Sequence, residues 1–279
     1  MSKINFLNIK IANQRVLLWV IAFIITIGSV IYQRITGPTH PVKGHISIGE
    51  TDVSFKLLRS EIVDKNAVVI LSVPDTSISG YVQFRRYKSN DSWTTISLQR
   101  EGDRLAAHLP KLSAAGKLMY YVFINHNEEN ISLSGDKPII LRYKGAVPIF
   151  ILIPHVLFMF LAMFLSNRTG LEALDASGKT RKYMHWTIGL LIMGGFIFGP
   201  FVQKFAFDAF WTGIPFGHDL TDNKILIVVL CWLLAWFKNR KGKDGRSWIV
   251  FASILMIVVY LIPHSVLGSE LDYTKLPSQ

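Results

Sequence analysis

The hydrophobic positions of this chain come in blocks. Five runs, Val16 to Tyr32, Ala146 to Leu165, Tyr183 to Gln203, Ile225 to Phe237 and Trp248 to Leu267, are apolar almost throughout, as membrane-crossing helices are. Between the first and the second the pattern changes. Ala67 to Pro74, Gly80 to Tyr87, Trp93 to Leu98 and Lys117 to Ile124 read as β-strands, alternating or β-rich. Turn signals separate them at Pro74-Asp75, Ser89-Asn90-Asp91, Glu101-Gly102-Asp103 and Ser113 to Gly116. The pattern predicts an α+β membrane protein in which five transmembrane helices, an N-terminal anchor plus a four-helix bundle, carry an inserted, exported all-β sandwich. The expected division is 1–36 for a cytoplasmic N-terminus and anchor, 37–144 for the sandwich, 145–268 for the bundle and 269–279 for an exported tail.

The fourth run is the shortest, with 13 uninterrupted apolar residues against the roughly 20 that a crossing helix needs. Leu220 to Lys224 extends it with helix-compatible residues, and Lys224 and Lys238 can snorkel toward opposite interfaces. A full span is therefore expected, with a re-entrant segment as the other reading. The first run has 17 residues and no small-x-small cleavage pattern after it, so it reads as an uncleaved anchor.

Half of the residues are apolar and the mean hydropathy is +0.34, which agrees with an integral membrane protein. The formal charge of +11 is concentrated in three places. These are Lys3, Lys10 and Arg15 before the first run, Arg168, Lys179, Arg181 and Lys182 after the second, and Lys238, Arg240, Lys241, Lys243 and Arg246 after the fourth. With five crossings all three lie on one side, which the positive-inside rule makes the cytoplasm. The C-terminus is then outside, and the basicity is a topology signal with no nucleic-acid partner behind it. The single cysteine, Cys231, falls within the fourth run, and an exported domain without cystine fits the bacterial inner membrane.

Candidate chemistry comes from a tetrapeptide that occurs twice, Leu152-Ile153-Pro154-His155 and Leu261-Ile262-Pro263-His264. Ionisable residues inside spans are costly and mark functional sites by default. His155 lies about 12 Å into the second span from outside and His264 about 24 Å along the fifth from inside, at roughly 1.5 Å per residue. Both fall in the outer half. The connection between the third and fourth spans brings His218, Asp219 and Asp222 to the same face, and Glu270 and Asp272 follow the fifth.

His155, His218 and His264 with Asp219 and Asp222 are thus the candidate transition-metal ligands, for zinc or copper, with carboxylates able to orient the imidazoles. His155 with His264 is also the one pair placed for a b-type haem. A structural reading stands beside these. An imidazole next to a proline can satisfy a freed backbone carbonyl, and Asp219 and Asp222 stand where a helix cap is expected. Gly195 to Gly199 reads as a helix-packing face, and His185-Trp186 as an interfacial anchor. His40, His45, His108 and His126 show no ligand spacing.

The exported segment resembles the fibronectin type III and immunoglobulin-like modules of bacterial envelope proteins. The residues that carry the likeness are Phe84 to Tyr87, Trp93 to Leu98, Ala107 to Pro110 and Ala115 to Val122. It implies a sandwich fold and no activity. Three functions follow as expectations. The first is an accessory or assembly subunit of an envelope or respiratory complex, in contact with the bilayer and other membrane proteins. The second is a metal-dependent intramembrane hydrolase using Asp219 or Asp222 as base, with Ser265 nearby. The third is a scaffold or binding protein whose histidines are structural.

Overall fold

The computed structural model describes residues 2–127, 129–175, 178–240, 245–263, 268 and 270–275, with side chains from residue 14 onward. The chain divides into two compact units. One is helical and comprises 1–37, 147–204 and 209–268. The other comprises 38–146, 205–208 and 269–279 and contains the strands.

The strand unit follows helix α1 (Ser2–Thr36) and holds β1 (Val42–Ile48), β2 (Thr51–Leu57), β3 (Ser60–Ile62), β4 (Ala67–Ser72), β5 (Ser79–Arg86), β6 (Thr94–Ser97), β7 (Gln99–Glu101), β8 (Arg104–Leu109), β9 (Lys117–His126), β10 (Glu129–Ser132) and β11 (Ile139–Lys144). Two sheets form, one ordered β1-β2-β4-β8-β7 and the other β3-β11-β9-β5-β6, with β10 on β9. The four expected strands correspond to β4, β5, β6 and β9 within one or two residues at most ends.

Period-two alternation decides which face is buried. In β9 Leu118, Tyr120, Val122 and Ile124 point inward, and in β4 Ala67, Val69 and Leu71 do so. Each large aliphatic side chain buried here contributes about 1.5–3 kcal/mol against the entropy of ordering the chain. Arg100 fixes the crossing from β4 to β5 by donating to the carbonyls of Val73, Asp75 and Ile78 at 2.6, 2.9 and 2.6 Å. Gly102, at φ +59°, makes the tight turn into β8.

The helices are α1, α2 (Ile149–Ala173), α3 (Thr180–Leu191), a π-helical stretch (Ile192–Phe198), α4 (Gly199–Phe207), α5 (Leu220–Lys238) and α6 (Arg246–Leu261), all in the helical unit except the last three residues of α4. Four stretches are long and apolar enough to cross a membrane: Gln14–Thr36, Ile149–Ala173, Thr180–Phe207 and Leu220–Lys238. α6 is apolar but has only 16 residues, about 24 Å at roughly 1.5 Å per residue. The shortfall therefore lies in the fifth expected span. The fourth reaches full length because Asp219 caps it early, accepting from Thr221 N at 2.7 Å.

α2 packs against α1, α3 and α6, and α5 against α3 and α6, around a core that includes Met163, Leu191, Trp232, Ile249 and Met256. Large apolar side chains cover the outside, among them Phe23, Ile24 and Ile31 of α1 and Phe251, Ile254 and Val258 of α6. Apolar outside with polar groups buried inside is the arrangement a bilayer selects. Thr26, Ser29 and Thr36 return their hydroxyls to the carbonyls of Ala22, Ile25 and Tyr32 in their own helix.

Two sequence expectations need correction. Arg168 is not in a loop: it lies inside α2, 1% exposed, and pairs with Glu172. Lys224 does not snorkel but is buried at 6% exposure.

Candidate functional site

Leu152–His155 and the described part of the second copy, Leu261–Pro263, take different conformations because they meet their helices at opposite ends. Pro154 is the sixth residue of α2, and the helix continues through it at the loss of one backbone bond. Pro263 follows the end of α6. Ile262, held by the proline in the extended region at ψ 116°, terminates that helix.

His155 reaches across to another helix. Its Nδ1–H donates to the carbonyl of Gly194 at 2.9 Å, inside the π-helical stretch. The proline-freed carbonyl of its own helix is not the partner. Pro200, the second residue after this stretch, lacks an N–H, which accounts for the widened turn before it. Close approach there requires small residues. A Cβ on Gly194 would press on Phe158 and Met159, and one on Gly195 would overlap Ile225. The Gly195–Gly199 pattern thus marks a packing face, as the sequence reads.

Asp219 and Asp222 are engaged with the backbone around them. Asp219 caps α5, and Asp222 Oδ2 accepts from Thr212 N at 2.6 Å, Gly213 N at 3.0 Å and the Thr212 hydroxyl at 3.3 Å. Asn223 adds a bond from Ile214 N at 2.7 Å, and Gln203 donates to Thr212 Oγ1 at 2.5 Å. The loop before α5 is stapled to the first turn of that helix. Gly213 is required there because a Cβ would lie 2.6 Å from the Cβ of Asp222.

His218 is exposed. His264 and Ser265 lie outside the described residues. Among the described residues no group of three His, Cys, Asp or Glu side chains is placed to hold a metal ion. Glu270 and Asp272, expected at the same membrane face, belong to the strand unit. Glu270 is gripped by Lys88 and Lys117. Burial alone would raise its carboxyl, but the two ammonium groups outweigh that and hold it below the ordinary range.

Two polar groupings escaped sequence reasoning. Lys224 donates to the carbonyls of Ile262 at 2.8 Å and Pro263 at 3.4 Å, capping the free end of α6. It also borders a cavity of about 50 Å³ lined by Gln33, Met159, Leu191, Thr221 and Tyr260. That volume holds a few waters and no drug-sized molecule. The other grouping surrounds Arg168, whose guanidinium lies 5.1 Å from the Trp19 ring and 5.2 Å from the Tyr183 ring while it binds Glu172. Asn167 donates to Thr26 at 2.9 Å beside it in sequence. The signal was the polar run Ser166 to Thr169 ending an apolar segment, which reads equally as a loop.

No protein-family model matches the chain, and no curated protein matches it either. What is established is a candidate multi-pass membrane protein with a two-sheet β-domain inserted between its helices.

Proposed function

We propose that this chain is a non-catalytic accessory or assembly subunit of the bacterial inner membrane, with its sandwich exported and its intramembrane polar residues serving as braces. One observation carries this. His155, Asp219, Asp222 and Lys224 all direct their polar atoms at backbone groups of the helical unit, where they fix a helix contact, a loop and two helix ends. A metal centre built on His155, His218, His264, Asp219 and Asp222 would have to share both aspartate carboxylates with those backbone bonds. An intramembrane hydrolase would need a larger polar cavity than the one beside Lys224.

Five crossings with a cytoplasmic N-terminus remain our reading of the topology. The chain rejoins the strand unit at Phe205–Asp208, at the end of α4, and again beyond α6. The three basic clusters, which five crossings put on one side of the membrane, support this reading. The sandwich reading is supported by strand order. β2-β4-β8 in one sheet and β11-β9-β5 in the other follow the A-B-E and G-F-C arrangement of immunoglobulin-like domains. Such domains commonly dock partners. The outward face of β5 and β9 keeps Tyr81, Tyr121 and Phe123 partly exposed, with Trp93 packed at 5.4 Å from Tyr121.

Metal analysis and an absorbance scan of detergent-purified full-length protein test the proposal. We expect no stoichiometric transition metal and no haem band. One metal ion or one haem per chain, lost on His155→Ala, would overturn it in favour of a cofactor centre.

A further inference from the structure

We propose that the surface formed by the start of α3 and the end of α5 seats the phosphate of an anionic phospholipid. α3 opens with Lys179, Arg181 and Lys182, has no acidic residue in its first turn and has no side-chain cap. A helix N-terminus already carries about half a positive charge, so cations in the first turn are unfavourable unless an anion joins them. Glu172 supplies part of one, accepting from Lys179 N at 3.0 Å, but the same carboxylate also serves the buried guanidinium of Arg168. Its charge is therefore shared, and the side chains of Lys179, Arg181 and Lys182 stand exposed around an open concavity that Gly178, Thr180 and His185 complete.

The floor of that concavity is rigid and continues onto α5. His185 bonds through Nδ1 to the Arg181 carbonyl at 2.7 Å and Trp236 Nε1 donates to its Nε2 at 3.0 Å, so its ring is fixed. Arg240 covers the rings of Phe237 and Trp236 at 4.4 and 5.7 Å and extends the cationic strip. Trp186 and Phe237 expose 59% and 51% of their surface nearby in sequence. Cations for a phosphate, with exposed aromatic rings for glycerol and acyl chain, form the pattern of an interfacial lipid site, and charge complementarity selects an anionic headgroup.

This inference rests on the bilayer reading but not on which leaflet is concerned. Full-length protein is reconstituted in nanodiscs, and carbonate extraction from native membranes checks insertion independently. Native mass spectrometry then compares retention of phosphatidylglycerol with that of phosphatidylcholine. Wild type should prefer the anionic lipid, and Lys179→Gln, Arg181→Gln and Lys182→Gln should each reduce the preference by roughly fivefold. Lys65→Gln and Lys137→Gln in the strand unit should leave it unchanged, and millimolar inorganic phosphate should not compete. Equal retention of both lipids, a preference unaltered in the triple variant, or displacement by phosphate alone would overturn the proposal. Loss of the protein from membranes on carbonate extraction would instead refute the bilayer reading.

Discussion

Lys224 in α5 caps α6 by donating to the carbonyl of Ile262 at 2.8 Å. α6 ends at a proline-directed extended residue and leaves carbonyls that neither lipid nor a following turn of helix would satisfy. A buried ammonium at a helix C-terminus meets that need and is favoured there by the helix dipole. Lys224→Met should lower stability by about 1–3 kcal/mol, because it strands the carbonyls, while Lys224→Arg should retain most of it. Thermal unfolding in detergent checks the pair.

The packing of the π-helical stretch on α2 and α5 depends on the absence of side chains. Gly195→Val should force Ile225 out of place and cost roughly 1–3 kcal/mol or more, since overpacking of a close helix contact is not relieved by a rotamer change. Gly189, in α3, faces open space, so Gly189→Ala should be neutral or stabilising by up to about 1 kcal/mol. Monomer yield in size-exclusion chromatography and Tm separate the two.

Arg168 and Glu172 form a pair that is costly to break and cheaper to remove. Arg168→Leu alone leaves a carboxylate without its guanidinium and should cost about 3–5 kcal/mol, as should Glu172→Leu. The double variant should cost clearly less than the sum. A double-mutant cycle in chemical denaturation measures the coupling, and additive losses would show that the pair does not act as a unit.

Docking of the tail beyond α6 should depend on acidity. Glu270 is held below its ordinary pKa by Lys117 and Lys88, so its contribution is fully present above the unfolded carboxyl value and is lost as pH falls through the lower folded one. Tyr273 packs under the Arg86 guanidinium at 4.7 Å and reports that docking. Limited proteolysis of the C-terminal segment should be unchanged from pH 8 to pH 5 and should accelerate below about 4. Glu270→Gln should remove the acid transition and expose the tail at neutral pH.

Sequence pattern located both units because their signals are local. Apolar blocks and period-two strands need no knowledge of tertiary contacts, and Leu118, Tyr120, Val122 and Ile124 of β9 show the alternation outright. What failed was non-local. Arg168 read as a loop cation because a lone basic residue gives no sign that Trp19, Tyr183 and Glu172 will surround it. Lys224 looked like a snorkelling residue because its partners lie 38 and 39 positions away. The break in the third span arises from Pro200 together with the contact to His155. The bonds of Asp222 to Thr212 and Gly213, only 10 and 9 residues upstream, were equally unseen because they depend on the fold of that loop. The repeated Leu-Ile-Pro-His suggested one role for two histidines. Position within the helix separates the copies, since a proline near a helix start is tolerated and one past the end stops the chain turning.

The proposed topology, five crossings with the sandwich and the C-terminus exported, is tested most directly by site-specific cysteine labelling of intact cells. Cys231→Ser provides the background, with single cysteines placed at Ser89 in the strand unit, at Asp175 between α2 and α3, and at Thr274 in the tail. Impermeant maleimide should label positions 89 and 274 in intact cells and position 175 only after the membrane is opened. Labelling of 175 and 274 from the same side would contradict the account.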